Sequence, residues 1–269
     1  MHRPLPCMRM EPKPRIALLI DADNSSADKI ELILSELSGL GETSIRRAYG
    51  NWTKPGLKSW AAVLHENAIR PMQQYDYSRG KNASDMAMVV DAMALLYTDR
   101  PDAFGIVSSD ADFTPLVMHL REKGAAVYGF GEEKTPEPFK SACSKFLVLD
   151  RLQAEEEQEE DDAATDQAPR PASGAPSRAR LRVPTAQLKQ DARLVALLRR
   201  AVHGEADDSG WARVSAVGNH IANQSSFDSR NYGYAKLIKL LEATDLFEIR
   251  DEGKPTLAVR DKRNAKGRV

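Results

Sequence analysis

The chain has 269 residues, 42% apolar and 29% charged, with 38 Lys and Arg against 39 Asp and Glu and a formal net charge of −1. That balance excludes a uniformly basic nucleic-acid coat. Two cysteines, Cys7 and Cys143, exclude a disulfide framework and a cysteine-based zinc site, and no apolar run approaches the ~20 residues that span a bilayer. The opening MHRPLPCMRMEPKPR has no apolar core and is a poor signal peptide. A soluble, reduced, cytoplasmic protein is expected. In chain order, strands are expected at Ile16–Ile20, Ser44–Tyr49, Ile69–Gln73, Phe104–Val107, Ala125–Phe130 and Phe146–Leu149. Helices are expected at Ser26–Leu37, Gly56–Glu66, Ser84–Tyr97, Thr114–Lys123 and Pro136–Ala142. The first and fourth strands are continuous apolar runs, as in a parallel sheet covered on both faces. Alternating strands and helices predict an α/β domain of the doubly wound kind.

The near-zero net charge hides three regimes: −2 over 1–150, −6 over 151–177 and +7 over 178–269. The middle stretch is acidic, then rich in Ala, Pro, Ser and Gly, and cannot bury enough surface to offset its ordering entropy. The expected organisation is a disordered 1–14, an α/β domain over 15–152, a flexible linker over 153–184, a small domain over 185–260 and a basic tail over 261–269. In the small domain, Gln187–Val202 reads as one helix, followed by an extended Trp211–Val214, helices at Ser215–Ala222 and Tyr234–Ala243, and strands Phe247–Arg250 and Thr256–Arg260 around a turn. The composite is a winged helix-turn-helix.

Carboxylates gather at the predicted carboxyl ends of the strands, where ligands bind in open α/β sheets. The first strand runs into Asp21-Ala-Asp23-Asn24, the fourth into Ser109-Asp110-Ala-Asp112, and the third helix opens on Lys81-Asn-Ala-Ser-Asp85. Converging carboxylates repel unless a cation neutralises them. Hard oxygen donors favour Mg²⁺ or Mn²⁺, and such an ion suits phosphodiester hydrolysis. The same residues have structural roles open to them: Asp112 as a helix cap, Asp85 in a first helical turn, Asp23 and Asn24 before a capping box. Asp91, about 240° around the helix from Asp85, faces elsewhere. Arg79 and Lys81 suit phosphate contacts and Ser109 lies beside the acidic tip; Tyr49 and Trp52 suit base stacking or packing at the sheet edge.

IALLIDADN, KNASDMAMVVDAM and GIVSSDADFTPLVMHLREKG, in that order over residues 15–152, resemble the NYN domain family, a branch of the PIN-like nucleases. The resemblance implies an α/β/α sandwich and a Mg²⁺- or Mn²⁺-dependent ribonuclease. Its catalytic and metal-binding residues correspond to Asp21, Asp85, Asp110 and Asp112, with Asn24 holding Asp21 or a water. Where many members carry Glu two residues after the first Asp, this chain has Asp23.

GWARVSAVGNHIANQSSFDSRNYGYAKLIKLLEATDLFEIR resembles an OST-HTH, or LOTUS, domain. That implies RNA binding or recruitment of a protein partner. The local charge of +7 favours RNA, with Arg230, Lys236 and Lys239 as the expected contacts. Two rival functions are an RNA-binding protein without turnover and a haloacid-dehalogenase-type phosphohydrolase, suggested by LLIDADN and IVSS. The position of Lys81 before the Ser motif argues against the second.

Overall fold

The structure is a computed structural model that describes residues 13–75, 82–152, 182–251, 253–254 and 256–265. Residues 1–12, most of the expected linker, Arg79, Lys81 and the last four residues lie outside the described residues.

The run Ile16–Ile20 has no solvent exposure at all. Strand β1 (Arg15–Asp21) therefore lies at the centre of a sheet covered on both faces. Each such aliphatic side chain contributes roughly 1.5–3 kcal/mol. The elements then alternate: α1 (Ile30–Leu40), β2 (Glu42–Gly50), α2 (Trp60–Glu66), β3 (Arg70–Gln73), α3 (Ala83–Thr98), β4 (Ala103–Val107), α4 (Thr114–Glu122), β5 (Ala126–Gly131), α5 (Glu137–Ala142) and β6 (Lys145–Val148). Three helices are preceded by short 3-10 turns at Ala27–Lys29, Pro55–Leu57 and Ala111–Phe113.

The sheet runs β3-β2-β1-β4-β5-β6. β1 pairs in parallel with both β2 and β4, and β2 with β3. The chain builds outward from β1 through β2 to β3, then returns to place β4 on the other side. The strand order thus reverses between β1 and β4, the topological position at which open α/β sheets bind ligands.

By its contacts the chain divides into two units, one drawn from 1–107 and 120–126, the other from 108–119 and 127–269. In the first, α3 packs on β1 and β2, and α1 on β2. In the second, β5 pairs in parallel with β6, and the C-terminal domain follows. That domain comprises α6 (Thr185–Gln190), α7 (Ala192–Gly204), β7 (Ala212–Arg213), α8 (Val214–Gln224), α9 (Leu237–Thr244), β8 (Phe247–Arg250) and β9 (Ala258–Asp261). The single helix expected over 187–202 is two helices. Asp191 is extended, and its carboxylate accepts from Leu194 N at 2.9 Å, so it caps a new helix. The core joins Leu194, Leu198, Val217, Leu240, Leu241 and Val259, and the strands form an antiparallel sheet in the order β7-β9-β8.

Within the second unit the edge of β6 is not left bare. Phe146 N donates to Ser226 O at 3.3 Å. Asn231 donates through Nδ2 to Phe146 O at 2.8 Å and accepts from Val148 N at 3.0 Å. A side-chain amide thus takes the place of a neighbouring strand, which satisfies an edge otherwise open to unwanted pairing. Lys145 pairs with Asp228 at 3.1 Å beside it.

Candidate active site

Asp21 ends β1 and is 1% exposed. Asn24 Nδ2 donates to its Oδ2 at 2.9 Å. The turn that makes this reach possible is held by Ala22 N to Tyr49 O at 3.0 Å and by Asn24 N to Asp21 O at 3.4 Å. Asp23 points to different partners: Ser84 Oγ donates to it at 2.8 Å, and Lys54 Nζ lies 3.2 Å away. Capping after β1 falls to Ser26, which accepts from Asp28 N, within the capping-box stretch that follows Asp23 and Asn24 in the sequence. Ser84 is buried in the first turn of α3, and Asp85 beside it is half-buried. Both belong to the first unit.

The tip of β4 belongs to the second unit. Ser108 is 1% exposed; its N donates to Phe130 O at 3.0 Å, and its Oγ accepts from Asp110 N at 3.1 Å. Ser109 Oγ accepts from Glu132 N at 2.9 Å. Asp110 has an extended backbone, and its Oδ1 accepts from Asp112 N at 2.8 Å. The cap of the following turn is therefore Asp110, and not Asp112, to which the sequence left that role open. Asp112 itself is exposed.

Within the first unit Ile20 pairs with Val107, so β1 and β4 end side by side. Among the described residues, no group of three or more His, Cys, Asp or Glu gathers closely enough to hold a metal ion.

Of the two roles open to Tyr49, base stacking or packing, its burial fits packing. It is 1% exposed, and its hydroxyl donates to Asp91. Arg47 Nη1 lies 2.5 and 2.6 Å from the two Asp91 oxygens. Burial, then the hydrogen bond and charge of Asp91, push the Tyr49 phenol well above its ordinary range. This Arg47–Asp91–Tyr49 group anchors α3 to β2, and sequence reasoning missed it. The signal was available, because Arg47 and Tyr49 sit on one face of a strand and Asp91 lies on a helix turned away from Asp85. Trp52 is half-buried, with its backbone N donating to Gln73 Oε1 at 3.1 Å.

In the C-terminal domain the three expected RNA contacts have different surroundings. Arg230 is held by Asp228, with Nε at 3.1 Å. Lys239 pairs with Glu242 at 2.9 Å. Lys236 is exposed at the start of α9.

Comparison with known proteins agrees with this architecture. The NYN domain model matches residues 15–150, and the OST-HTH/LOTUS domain model matches residues 188–259. An uncharacterized protein of Methanocaldococcus jannaschii is 32% identical over 126 residues, a match covering 44% of this chain and 48% of that protein. The chain therefore spans about half the length of that curated relative. A Vibrio parahaemolyticus protein of unknown function, solved by crystallography, is 19% identical with a TM-score of 0.45, covering 54% of this chain and 98% of its own. An uncharacterized Nitrosomonas europaea protein, solved by NMR, is 31% identical with a TM-score of 0.23, covering 36% of this chain and 90% of its own. Among the described residues no helix is long and apolar enough to cross a membrane. The match of the NYN model over half of the chain, on an α/β domain whose strand order reverses between β1 and β4, shows that the chain belongs to the NYN domain family of PIN-like proteins, and the second match that it carries an OST-HTH/LOTUS domain.

Proposed function

We propose that the protein is a divalent-metal-dependent ribonuclease whose NYN domain hydrolyses RNA and whose OST-HTH domain holds the substrate. One observation carries the reading: a carboxylate buried to 1% and oriented by Asn24 ends β1, at the point where the strand order reverses between β1 and β4. A buried carboxylate is kept where hydrogen bonds or charge compensate it, and Asn24 supplies one such bond.

The donor set of carboxylate and amide oxygen fits Mg²⁺ or Mn²⁺. Mg²⁺ commonly keeps several waters and takes only one or two protein carboxylates together with substrate phosphate. When bound, such an ion supplies a Lewis acid that activates water and neutralises charge on the phosphoryl oxygens. Asp21, Asp85, Asp110 and Asp112 are the proposed ligands, as the resemblance to the NYN family implies. Asn24 fixes which oxygen of Asp21 is presented. Ser109, Trp52 and the segment containing Arg79 and Lys81 are the proposed substrate contacts.

The test is cleavage of single-stranded RNA together with metal-induced thermal stabilisation. Asp21→Asn and Asp110→Asn each keep shape and remove charge. Both are expected to lower cleavage by at least tenfold, about 1.4 kcal/mol in the barrier, and to reduce stabilisation by Mn²⁺. Full activity in both variants, free of contaminating nuclease, would refute the nuclease reading. The second reading is RNA binding without turnover, through the OST-HTH/LOTUS domain. It predicts RNA affinity that neither substitution alters and no cleavage in the parent.

A further inference from the structure

The β7-β9-β8 sheet has two unlike faces. In an antiparallel pair, residues opposite one another share a face and neighbours along a strand alternate. Val259 pairs with Ala212 on one side and Ile249 on the other, and Val259 and Ala212 are buried in the core. The opposite face is therefore set by the remaining pairs. Ala258 stands between Arg213 and Arg250, and Glu248 faces Arg260. Three guanidinium groups thus share a face with one carboxylate. Arg213 and Arg250 are exposed, and Arg260 is engaged by Glu248 through Nε at 3.1 Å. Asp251 lies 3.7 Å from Arg250.

Trp211 completes this face. The Arg250 guanidinium lies 4.5 Å from the centre of the indole, and that of Arg260 lies 4.7 Å away. The ring is not loosely placed. Asp207 Oδ1 accepts from Trp211 N at 2.9 Å and from Ser209 N and Oγ, which pins the loop. Gly210 between them has φ +79, a left-handed conformation that side chains resist. A Cβ there would come 3.4 Å from Arg260 Cδ. The loop is shaped to lay the indole against the arginines.

We propose that this outer sheet face is the RNA-contacting surface of the C-terminal domain, taking single-stranded RNA through phosphate contacts from Arg213 and Arg250 beside the Trp211 platform. It rests on the RNA-directed reading above. Guanidinium groups stacked on an aromatic ring lose less freedom when they bind phosphate in a forked geometry, and aromatic platforms flanked by cations are how single strands are held without sequence preference. The helical cations are less suited, since Arg230 and Lys239 already face Asp228 and Glu242.

The experiment uses the full chain and a fluorescein-labelled oligouridine, read by anisotropy across a salt series. Arg213→Gln/Arg250→Gln is expected to weaken binding about tenfold at low salt. It should also flatten the log–log salt slope by about 0.7 for each phosphate that is no longer neutralised, about 1.4 in total. Both side chains are exposed, so the melting temperature should stay at the parent value; if Arg250→Gln proves destabilising, Arg213→Gln alone decides through its slope. Trp211→Leu should weaken binding with the slope retained, because the charges remain. Sheet variants that bind like the parent, with the loss appearing instead in Lys236→Gln/Lys239→Gln, overturn this surface and leave the RNA-binding domain standing. A parent protein that fails to bind the probe overturns the RNA-directed reading itself.

Discussion

Removing Asp91 tests whether the helix that carries Ser84 and Asp85 is anchored as the structure indicates. Arg47 and Asp91 are 21% and 18% exposed at their side chains, so they are neither surface ions nor a fully dry pair. Breaking a fully buried pair by deleting one partner costs about 3–5 kcal/mol, and partial solvent access reduces that to about 2 kcal/mol. Asp91→Ala also leaves the hydroxyl of the buried Tyr49 without its acceptor, adding about 1 kcal/mol. The sum is about 3 kcal/mol. For a domain of this size each kcal/mol moves the midpoint by about 2–4 °C, so the expected fall is about 6–12 °C. Asp91→Asn keeps an acceptor for Tyr49 and should cost about 2 kcal/mol. Urea denaturation gives both values, and combining Asp91→Ala with Tyr49→Phe should recover at least about 0.5 kcal/mol of coupling. An Asp91→Ala protein within 0.5 kcal/mol of the parent would refute the anchor. The same substitution must be avoided as an inert control in nuclease assays.

Two further outcomes test other parts of the fold. Burial pushes the Asp228 carboxyl up, but the hydrogen bond and charge of Arg230 and the charge of Lys145 outweigh it and hold it below its ordinary value. A depressed folded value contributes stability above the unfolded value, about 3.9, and loses it as pH falls through the lower one. Asp228→Asn should therefore melt below the parent at neutral pH, with the gap closing under about pH 4; a gap independent of pH would contradict the pairing. A Cβ on Gly129 would meet Cys143 Sγ at 2.6 Å and Phe146 Cδ2 at 2.7 Å, both in fully buried residues. Gly129→Ala should cost about 1–3 kcal/mol by overpacking, measured by the denaturation midpoint.

The α/β order was legible because its strands carry their own signal. IALLI within β1 and AFGIV at β4 carry no polar side chain, as expected of a doubly covered sheet. The winged domain was legible for the same reason, its helices spacing their leucines at a helical period. Asp21, Asp85 and Asp110 were legible as candidates, since a carboxylate at a strand tip or a helix start stands out against apolar neighbours.

What one-dimensional pattern did not carry was the choice of partner. A carboxylate forms a hydrogen bond to whichever donor the fold brings within about 3 Å, and sequence distance gives no measure of that. Asp91 takes Arg47 and Tyr49 from 44 and 42 residues away. Asp23 takes Ser84 from 61 residues away. Asn231 reaches the edge of β6, 85 residues earlier in the chain at Phe146. Local signals can mislead in the opposite direction too. Residues 187–202 keep one apolar period, yet Asp191 caps a second helix inside it, because a single side-chain acceptor aimed at free N–H groups outweighs continued periodicity. Period and composition are written along the chain and survive without a fold. The facing of Trp211 to Arg250 and Arg260, and of Asp91 to Arg47, exists only once strands and helices are packed, because it depends on distances that packing alone creates.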